Sequence, residues 1–184
     1  MNNWRERTEL LLGTEKAERL RAAHVLVVGL GGVGAYAAEM IARAGVGRMT
    51  LVDADAVSIS NINRQLVALH STVGRPKAEV LAERLRDIDP EIELTIIQEY
   101  IKDEATDTLL DREPRYDFVV DAIDTLAPKV NLIKGCLDRR IPLVSSMGAG
   151  AKTDPTLLEI KDIGKSHHCP LAHMLRKRLH KIGI

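Results

Sequence analysis

The sequence predicts an α/β fold built on a mostly parallel, doubly wound sheet. Short β-branched runs such as HVLVV and DFVV alternate with helical segments along most of the chain. Each run reads as a strand buried on both faces, which is typical of parallel sheets covered by helices. The first run leads into the stretch GLGGVG, which precedes an alanine-rich helical segment. A strand, a glycine-rich turn and a helix in this order are Rossmann-like.

The predicted elements alternate through the chain. Residues 1–22 form a predicted N-terminal helical arm, and residues 23–184 form the predicted Rossmann-like domain. Predicted strands cover 24–29, 49–55, 94–98, 117–124 and 141–146, and a sixth is predicted at 157–163. Predicted helices cover 35–44, 76–88, 103–111, 127–140 and 170–181. Ligands of such sheets bind beyond the carboxyl ends of the strands, so the residues that follow each strand are the first candidates for a site.

The composition restricts the classes of protein to which the chain can belong. Its 184 residues suit a single domain, and 26 basic residues balance 26 acidic ones. This balance gives no support for non-specific nucleic-acid binding through bulk charge. Two cysteines make no disulfide framework, and no apolar run approaches the ~20 residues that a membrane helix needs. We therefore expect a cytoplasmic protein with no membrane partner.

Four glycines between the first strand and the next helix form the most informative local pattern. Gly29, Gly31, Gly32 and Gly34 permit a tight turn and a close approach of the backbone to phosphate. The start of the following helix offers free N–H groups and the positive end of the helix dipole. We therefore expect a nucleotide-binding loop. The alternative is a turn whose glycines serve only helix–sheet packing.

Two acidic residues follow the second predicted strand. Asp53 lies ~20 residues after the glycines, where an acid usually accepts hydrogen bonds from ribose hydroxyls. Asp53 is therefore predicted to bind the nucleotide, with a helix cap or a solvated strand end as the alternative. Asp55 is predicted to bind the nucleotide as well, with an ordinary surface role as an equally weighted alternative.

Cationic residues beyond the second strand favour ATP over NAD. Arg64 lies in the polar stretch SNINRQ, and Lys77 begins a helix, where its charge meets the positive end of the helix dipole. A phosphate partner would offset that unfavourable placement. A triphosphate needs extra cations and a metal ion, whereas the glycine loop already holds the phosphates of a dinucleotide. The alternative is that both residues are ordinary surface charges.

The fourth predicted strand ends in the acidic stretch DAIDT. Asp124 should face the same crevice as the glycines and hold Mg²⁺ against the phosphates, because Mg²⁺ favours one or two carboxylates plus phosphate oxygens. The alternative for Asp124 is an N-cap of the following helix. Asp121, within or at the end of the strand, is interpreted as structural.

Five motifs in order resemble the superfamily that activates ubiquitin-like proteins, the ThiF/MoeB/HesA proteins. They are GLGGVG, LVDAD, SNINRQ, GRPKAE and DAIDT, and the resemblance covers nearly the whole chain. The superfamily includes the molybdopterin- and thiamine-pathway adenylyltransferases, and it activates carboxylates with ATP and Mg²⁺. The site that this resemblance implies has ribose at Asp53, phosphates at Asn61, Arg64 and Lys77, and the metal at Asp124.

The resemblance also implies a homodimer. In dimeric bacterial members an arginine near the N-terminus, six residues before a glycine, reaches into the partner's ATP site. Arg7 stands six residues before Gly13 and looks like that catalytic arginine. The alternative for Arg7 is a solvated helix residue.

One branch of the superfamily resembles the chain most. The phrases IPLVSSMGAG and DPT, and the pattern PLA..LRKRL near the end, resemble the tRNA threonylcarbamoyladenosine dehydratases. That branch uses ATP to close the threonylcarbamoyl side chain of a modified tRNA adenosine into a ring, so the resemblance implies tRNA as partner. Its members continue well past the point where this chain stops, so we expect truncation at the C-terminus relative to the family.

Two other functions stay open. An adenylyltransferase for a ubiquitin-like sulfur-carrier protein would share every ATP residue and would have that protein as partner. A non-catalytic nucleotide-binding module, or an NAD sensor, would not need Arg64, Lys77 and Asp124 together. Many protein-activating relatives bind zinc through two CxxC pairs, which this sequence lacks, and the stretch HHCPLAH does not have standard zinc spacing. We expect no zinc site, which favours the tRNA-modifying branch.

Overall fold

The sheet has five parallel strands, and the chain enters it at the centre. The computed structural model describes residues 3–184, and it has the strand order β3-β2-β1-β4-β5. The chain therefore fills one side of the sheet first and then crosses to the other, which confirms the predicted Rossmann-like α/β class. The strands are β1 (His24–Val28), β2 (Arg48–Val52), β3 (Glu93–Ile97), β4 (Phe118–Asp121) and β5 (Leu143–Ser145).

Helices cover both faces of this sheet. Their bounds are α1 (Glu6–Leu12), α2 (Thr14–Ala22), α3 (Gly34–Ala44), α4 (Lys77–Ile88), α5 (Glu104–Leu110), α6 (Leu126–Asp138) and α7 (Pro170–Lys181). Within residues 3–184, none of them is both long and apolar enough to cross a bilayer.

Two hydrophobic cores sandwich the sheet. Side chains alternate along β1, so Val25 and Val27 face one core while Leu26 and Val28 face the other. The first core is completed by α3 and α4, with the small residues of α3 packed closely on the strands. The second core is completed by α5 and α6. Burial on both faces explains why the central strands β1, β2 and β4 read as largely apolar runs, whereas the edge strands β3 and β5 are partly exposed.

The strand predicted at 157–163 is wrong. The region holds two short 3₁₀ turns, at Pro155–Leu157 and Ile163–Lys165, and every residue from 151 to 160 is exposed. Asp154 accepts a hydrogen bond from the backbone N–H of Thr156 at 2.9 Å, which favours a turn over an extended chain. The Asp154 cap therefore favours a turn although the sequence is apolar, because no strand among residues 3–184 pairs with this segment.

The N-terminal arm and the last helix attach to opposite parts of the fold. Residues 1 and 2 of the predicted arm lie outside the described residues, and the rest forms two helices separated at Gly13, whose φ is +80. A Cβ atom on Gly45, at the end of α3, would lie 3.4 Å from the side chain of Arg5. Helix α7 packs against α6 through Leu175 and Leu179.

Candidate functional site

The glycine loop between β1 and α3 has a packed side and an open side. Gly29 has φ +88, and a Cβ atom there would lie 2.7 Å from the carbonyl oxygen of Ala122. A Cβ atom on Gly34 would lie 1.7 Å from the carbonyl oxygen of Gly29. For Gly31 and Gly32 the corresponding closest distances are 3.6 Å and 3.3 Å. Gly29 and Gly34 therefore make the tight turn, while Gly31 and Gly32 offer the backbone that a phosphate could approach.

Asp53 ties the end of β2 to this loop. Its Oδ2 accepts a hydrogen bond from the backbone N–H of Leu30 at 2.7 Å, and its Oδ1 accepts one from the N–H of Asp55 at 2.8 Å. Asp53 thus orders the loop itself, which the sequence interpretation did not include. An ionised carboxylate has about four acceptor positions, so both oxygens keep capacity for the ribose hydroxyls predicted there.

Asp55 pairs with Lys77 at the beginning of α4. The Lys77 ammonium lies 2.8 Å from Asp55 Oδ2, and the lysine side chain is 6% exposed while the aspartate is 50% exposed. Tyr100 donates its hydroxyl to the other oxygen of Asp55 at 2.9 Å. The Lys77 hydrogen bond, opposed by partial burial and aided by Tyr100, holds the pKa of Asp55 below its usual value. A carboxylate of the chain therefore already offsets the cation at this helix start.

The segment that follows β2 lies over the open side of the glycine loop. A Cβ atom on Gly32 would lie 3.3 Å from the backbone oxygen of Arg64, and one on Gly31 would lie 3.6 Å from Gln65 Nε2. Gln65 is buried, and within residues 3–184 its Oε1 has no hydrogen-bond partner. Buried polar atoms are usually satisfied, so an unpaired one beside a glycine loop marks a position where a ligand or water would be expected.

The polar side chains of this segment also hold the segment together. The Arg64 guanidinium is exposed and donates to the carbonyl of Ser60 and to Asn63 Oδ1, both at 3.0 Å. Asn61 Oδ1 accepts a hydrogen bond from the backbone N–H of Ser58 at 3.0 Å. Arg64 therefore has its charge at the surface above Gly32, whereas the carbonyl end of Asn61 is used by the turn.

Asp124 lies in the turn that joins β4 to α6. Helix α6 begins at Leu126 and its N-cap residue is Thr125, so Asp124 does not cap it. Asp124 is exposed, and Lys129, the next lysine along the chain, pairs with Asp121 at 3.0 Å. A single free carboxylate at this edge of the sheet suits Mg²⁺ bound to a triphosphate, because the phosphates supply the other oxygens.

The buried pair behind Asp124 is the main feature that sequence reasoning missed. Lys129 and Asp121 are both fully buried. Burial raises the pKa of Asp121 and lowers that of Lys129, while the charge of each residue partly opposes the pKa shift of the other. A signal was available, because Lys129 lies eight residues after Asp121 on the apolar side of α6, where a lysine needs a partner.

Arg7 is the one predicted site residue that the fold keeps away from the others. Helix α3 runs from the glycine loop to Gly45, and its 11 residues give a length of about 16 Å. The side chain of Arg5, two residues before Arg7, lies against Gly45 at the far end. Within one chain, Arg7 therefore sits near the opposite edge of the sheet from the glycine loop.

The two cysteines lie in different surroundings. Cys136 is buried, and burial raises the pKa of its thiol to about 12. Cys169 is half-buried, and its sulfur accepts hydrogen bonds from the backbone N–H groups of Gly148 and Ala172 at 3.3 Å and 3.4 Å. Among residues 3–184, no cluster of three or more His, Cys, Asp or Glu side chains could hold a metal ion.

Comparison with known proteins places the chain in a family. The model of the ThiF family matches residues 5–182. The chain belongs to the ThiF family. The recognition made from five motifs is therefore confirmed.

Relatives within the ThiF family differ in how similar they are. The chain is 49% identical over 97% of its length to the tRNA threonylcarbamoyladenosine dehydratase of Bacillus subtilis, of which it covers 69%. It is 42% identical, with a TM-score of 0.92, to a crystal structure of the Escherichia coli tRNA N6-threonylcarbamoyladenosine dehydratase in complex with ATP. There the alignment covers 97% of this chain and 74% of that one. The chain is 36% identical to the Escherichia coli molybdopterin-synthase adenylyltransferase. That alignment covers 83% of this chain and 60% of the adenylyltransferase. The chain thus spans about two thirds of the length of these relatives.

Proposed function

We propose that the chain belongs to an ATP-dependent tRNA threonylcarbamoyladenosine dehydratase. The observation that carries the proposal is the 49% identity to the Bacillus subtilis dehydratase over nearly the whole chain, against 36% to an adenylyltransferase of the same family. The carrier-protein adenylyltransferase is the weaker alternative for that reason. A non-catalytic module would have no use for a lysine, an arginine and a free carboxylate around one glycine loop.

The chemistry requires activation of a carboxylate, because its own leaving group would be oxide. The threonylcarbamoyl carboxylate attacks the α-phosphorus of ATP, pyrophosphate leaves, and a mixed anhydride with AMP forms. The neighbouring carbamoyl group then attacks the acyl carbon, loses its proton, and expels AMP with the former carboxylate oxygen. Both reacting groups lie in one molecule, so the second step benefits from a high effective molarity and needs no nucleophile from the protein.

The roles of the protein residues follow from their positions at the carboxyl edge of the sheet. The backbone at Gly31 and Gly32 lies open to phosphate, and Asp53 has acceptor capacity left for ribose. Arg64 and Lys77 would neutralise phosphate charge, with Lys77 exchanging Asp55 for a phosphate oxygen. The exposed carboxylate of Asp124 would hold the Mg²⁺ that screens the charge of the triphosphate.

The homodimer and Arg7 complete the proposal. Arg7 is two residues from Arg5, whose side chain lies against Gly45, and Gly45 is about 16 Å along α3 from the glycine loop of the same chain. Leu10 and Leu11 on the same helix are 72% and 82% exposed, more apolar surface than a free arm needs. We infer that the arm, residues 1–22, packs on a second copy and brings Arg7 to its ATP, while residues 23–184 form the ATP-binding domain. A cytoplasmic location is part of the same proposal.

The direct test is dehydration of modified tRNA. The protein is incubated with ATP, Mg²⁺ and tRNA that carries threonylcarbamoyladenosine. Nucleoside mass spectrometry should show loss of water. Asp124→Asn should abolish the change, whereas Asp138→Asn, an exposed aspartate on α6, should not. Adenylation of a carrier protein ending in Gly-Gly, with tRNA unchanged, would replace the proposal by the adenylyltransferase.

Mixing two inactive variants tests the arrangement in trans. Arg7→Ala protein and Asp124→Ala protein should each be inactive, and a mixture should regain activity because a mixed dimer has one complete site. Arg19→Ala, another exposed arginine of the arm, should stay active alone. Failure to recover activity after confirmed subunit exchange, or a monomer by light scattering, would contradict the role of Arg7.

A further inference from the structure

The ion pair between Lys129 and Asp121 is unusual because neither side chain has any exposed surface. Their charged atoms lie 3.0 Å apart, and the Ser145 hydroxyl donates to Asp121 Oδ2 at 2.6 Å. Removing two charges from water is costly, and hydrophobic residues of similar size often stabilise a fold as well or better. A fully buried pair therefore points to a role other than raising the free energy of unfolding.

The pair makes hydrogen bonds with both the backbone N–H and the backbone carbonyl of Ile123. Asp121 Oδ1 accepts a hydrogen bond from the backbone N–H of Ile123 at 3.1 Å, and the Lys129 ammonium donates to the carbonyl of Ile123 at 2.8 Å. Ile123 directly precedes Asp124. The backbone from which the Asp124 side chain projects is therefore fixed on both sides of Ile123 by buried charged groups, whose hydrogen bonds are among the stronger ones in proteins.

The same turn is in contact with the glycine loop. A Cβ atom on Gly29 would collide with the carbonyl of Ala122 at 2.7 Å, and one on Gly34 would lie 3.0 Å from the Ala122 side chain. The backbone N–H of Ala122 also donates to the carbonyl of Val28, the last residue of β1, at 2.8 Å. The turn 122–124 is thus closely packed against the glycine loop on one side and hydrogen-bonded to the buried pair on the other.

We propose that Lys129 and Asp121 are positioning residues that fix Asp124 relative to the glycine loop. Neither group reaches the crevice, so neither would touch ATP or Mg²⁺. They act by holding the turn 122–124 in the one conformation that sets the distance between the metal-binding carboxylate and the phosphate-binding backbone. The inference rests on the proposed function only for the statement that Asp124 binds Mg²⁺.

The test replaces the pair without leaving a buried charge. Lys129→Met together with Asp121→Asn removes both charges and the donor to Ile123, at nearly constant volume. The matched control is Lys134→Met with Asp138→Asn, which removes an exposed lysine–aspartate pair from the same helix. Hydrogen exchange of the amides of residues 122–125 and the ATP dissociation constant are each measured with Mg²⁺ and with EDTA.

The buried double variant should show faster exchange at residues 122–125 while β1 and β2 keep their protection. Its ATP affinity in Mg²⁺ should fall roughly 10- to 100-fold, the range expected for a lost hydrogen bond to a charged group, and its affinity in EDTA should change little. The control variant should match the wild type. Unchanged exchange at the turn, or an equal loss of affinity in Mg²⁺ and EDTA, would overturn the inference.

A second variant covers the case in which the double variant does not fold. Ser145→Ala removes one partner of Asp121 and leaves both charges in place. It should raise exchange at residues 122–125 in the same direction but by less, and a uniform rise across the sheet would contradict the inference. If the wild type binds no ATP, the proposed function fails, while the exchange measurement still decides whether the pair holds the turn.

Discussion

Two lysine–aspartate pairs lie at the same edge of the sheet, and they differ in exposure. In the Lys77–Asp55 pair the lysine is almost covered, but half of the aspartate side chain reaches solvent. In the Lys129–Asp121 pair both side chains are fully buried. The separations are nearly equal, 2.8 Å and 3.0 Å. Distance alone therefore does not distinguish a pair that a ligand can open from a pair that only supports the backbone.

Solvent determines what each pair can do. If a phosphate replaced Asp55 on Lys77, as proposed, the half-exposed carboxylate could be hydrated, so the exchange would cost little free energy. If Lys129 left Asp121, the carboxylate would stay buried without a partner, which is strongly unfavourable. The pKa directions agree with this difference, because the Lys77 hydrogen bond lowers the pKa of Asp55 whereas burial raises that of Asp121.

The largest expected effect is on stability. Lys129→Met leaves the Asp121 carboxylate buried and unpaired, and the free energy of unfolding should fall by about 3–5 kcal/mol. Lys77→Met leaves a half-exposed partner, so the loss should be about 1 kcal/mol or less. Urea unfolding monitored by circular dichroism measures both. Equal losses for the two variants would remove the proposed difference between the pairs.

The second effect is on ligand binding. Lys77→Met should weaken binding of ATP·Mg²⁺ by a factor of roughly 10–100, because a charged hydrogen bond to phosphate is worth about 1.5–3 kcal/mol. The fold should be intact, as shown by an unchanged circular dichroism spectrum. Isothermal titration calorimetry is the measurement, with Lys134→Met as the control. Wild-type affinity in Lys77→Met would mean that Lys77 serves only Asp55 and the start of α4.

The smallest effect is on acid stability. The pKa of Asp55 is below its usual value of 3.8, so the pair stabilises the fold above pH 3.8 and loses that contribution as the pH falls through the lower pKa of the folded state. The pKa of Asp121 is raised, so its ionisation has the opposite effect and lowers the stability of the fold as the pH rises. Asp55→Asn should therefore lose less stability than the wild type between neutral pH and pH values below 3.8. The difference should be under about 1 kcal/mol because Asp55 is half exposed.

Urea unfolding at several pH values, with Asp138→Asn as an exposed control, tests this sign. A wild type that loses no more stability on acidification than Asp55→Asn would show that Lys77 does not favour the ionised form of Asp55 in the folded state.

The sequence was most informative where geometry leaves little choice. Buried parallel strands must be apolar on both faces, so their runs could be read directly. The role of the four glycines could be assigned as a group, but only the structure separates Gly29 and Gly34, where a Cβ atom would collide with backbone, from Gly31, where it would fit, and Gly32, where it would be a tight contact. Residue type alone does not reveal which backbone atoms approach each other.

Pairing of charges was the least predictable part of the site. A cation at the beginning of α4 suggested a ligand phosphate, and in the folded chain Asp55 fills that role. Lys129 was overlooked because a lysine is normally exposed, and its burial on α6 depends on the Asp121 carboxylate at the end of β4. The two residues are only eight positions apart, but they meet only when α6 folds back against the end of β4. The placement of Arg7 away from the glycine loop likewise follows from the direction of α3.

The ten exposed residues from 151 to 160 have a consequence for the integrity of the chain. Proteases cut exposed loops far more readily than helices or strands, and Leu157, Leu158 and Ile160 are 74%, 80% and 92% exposed. Helix α7 lies beyond this segment, with Leu175 and Leu179 buried against α6. A nicked molecule should therefore run as two fragments in a denaturing gel and as one particle in native buffer, because packing and not the peptide bond keeps α7 in place.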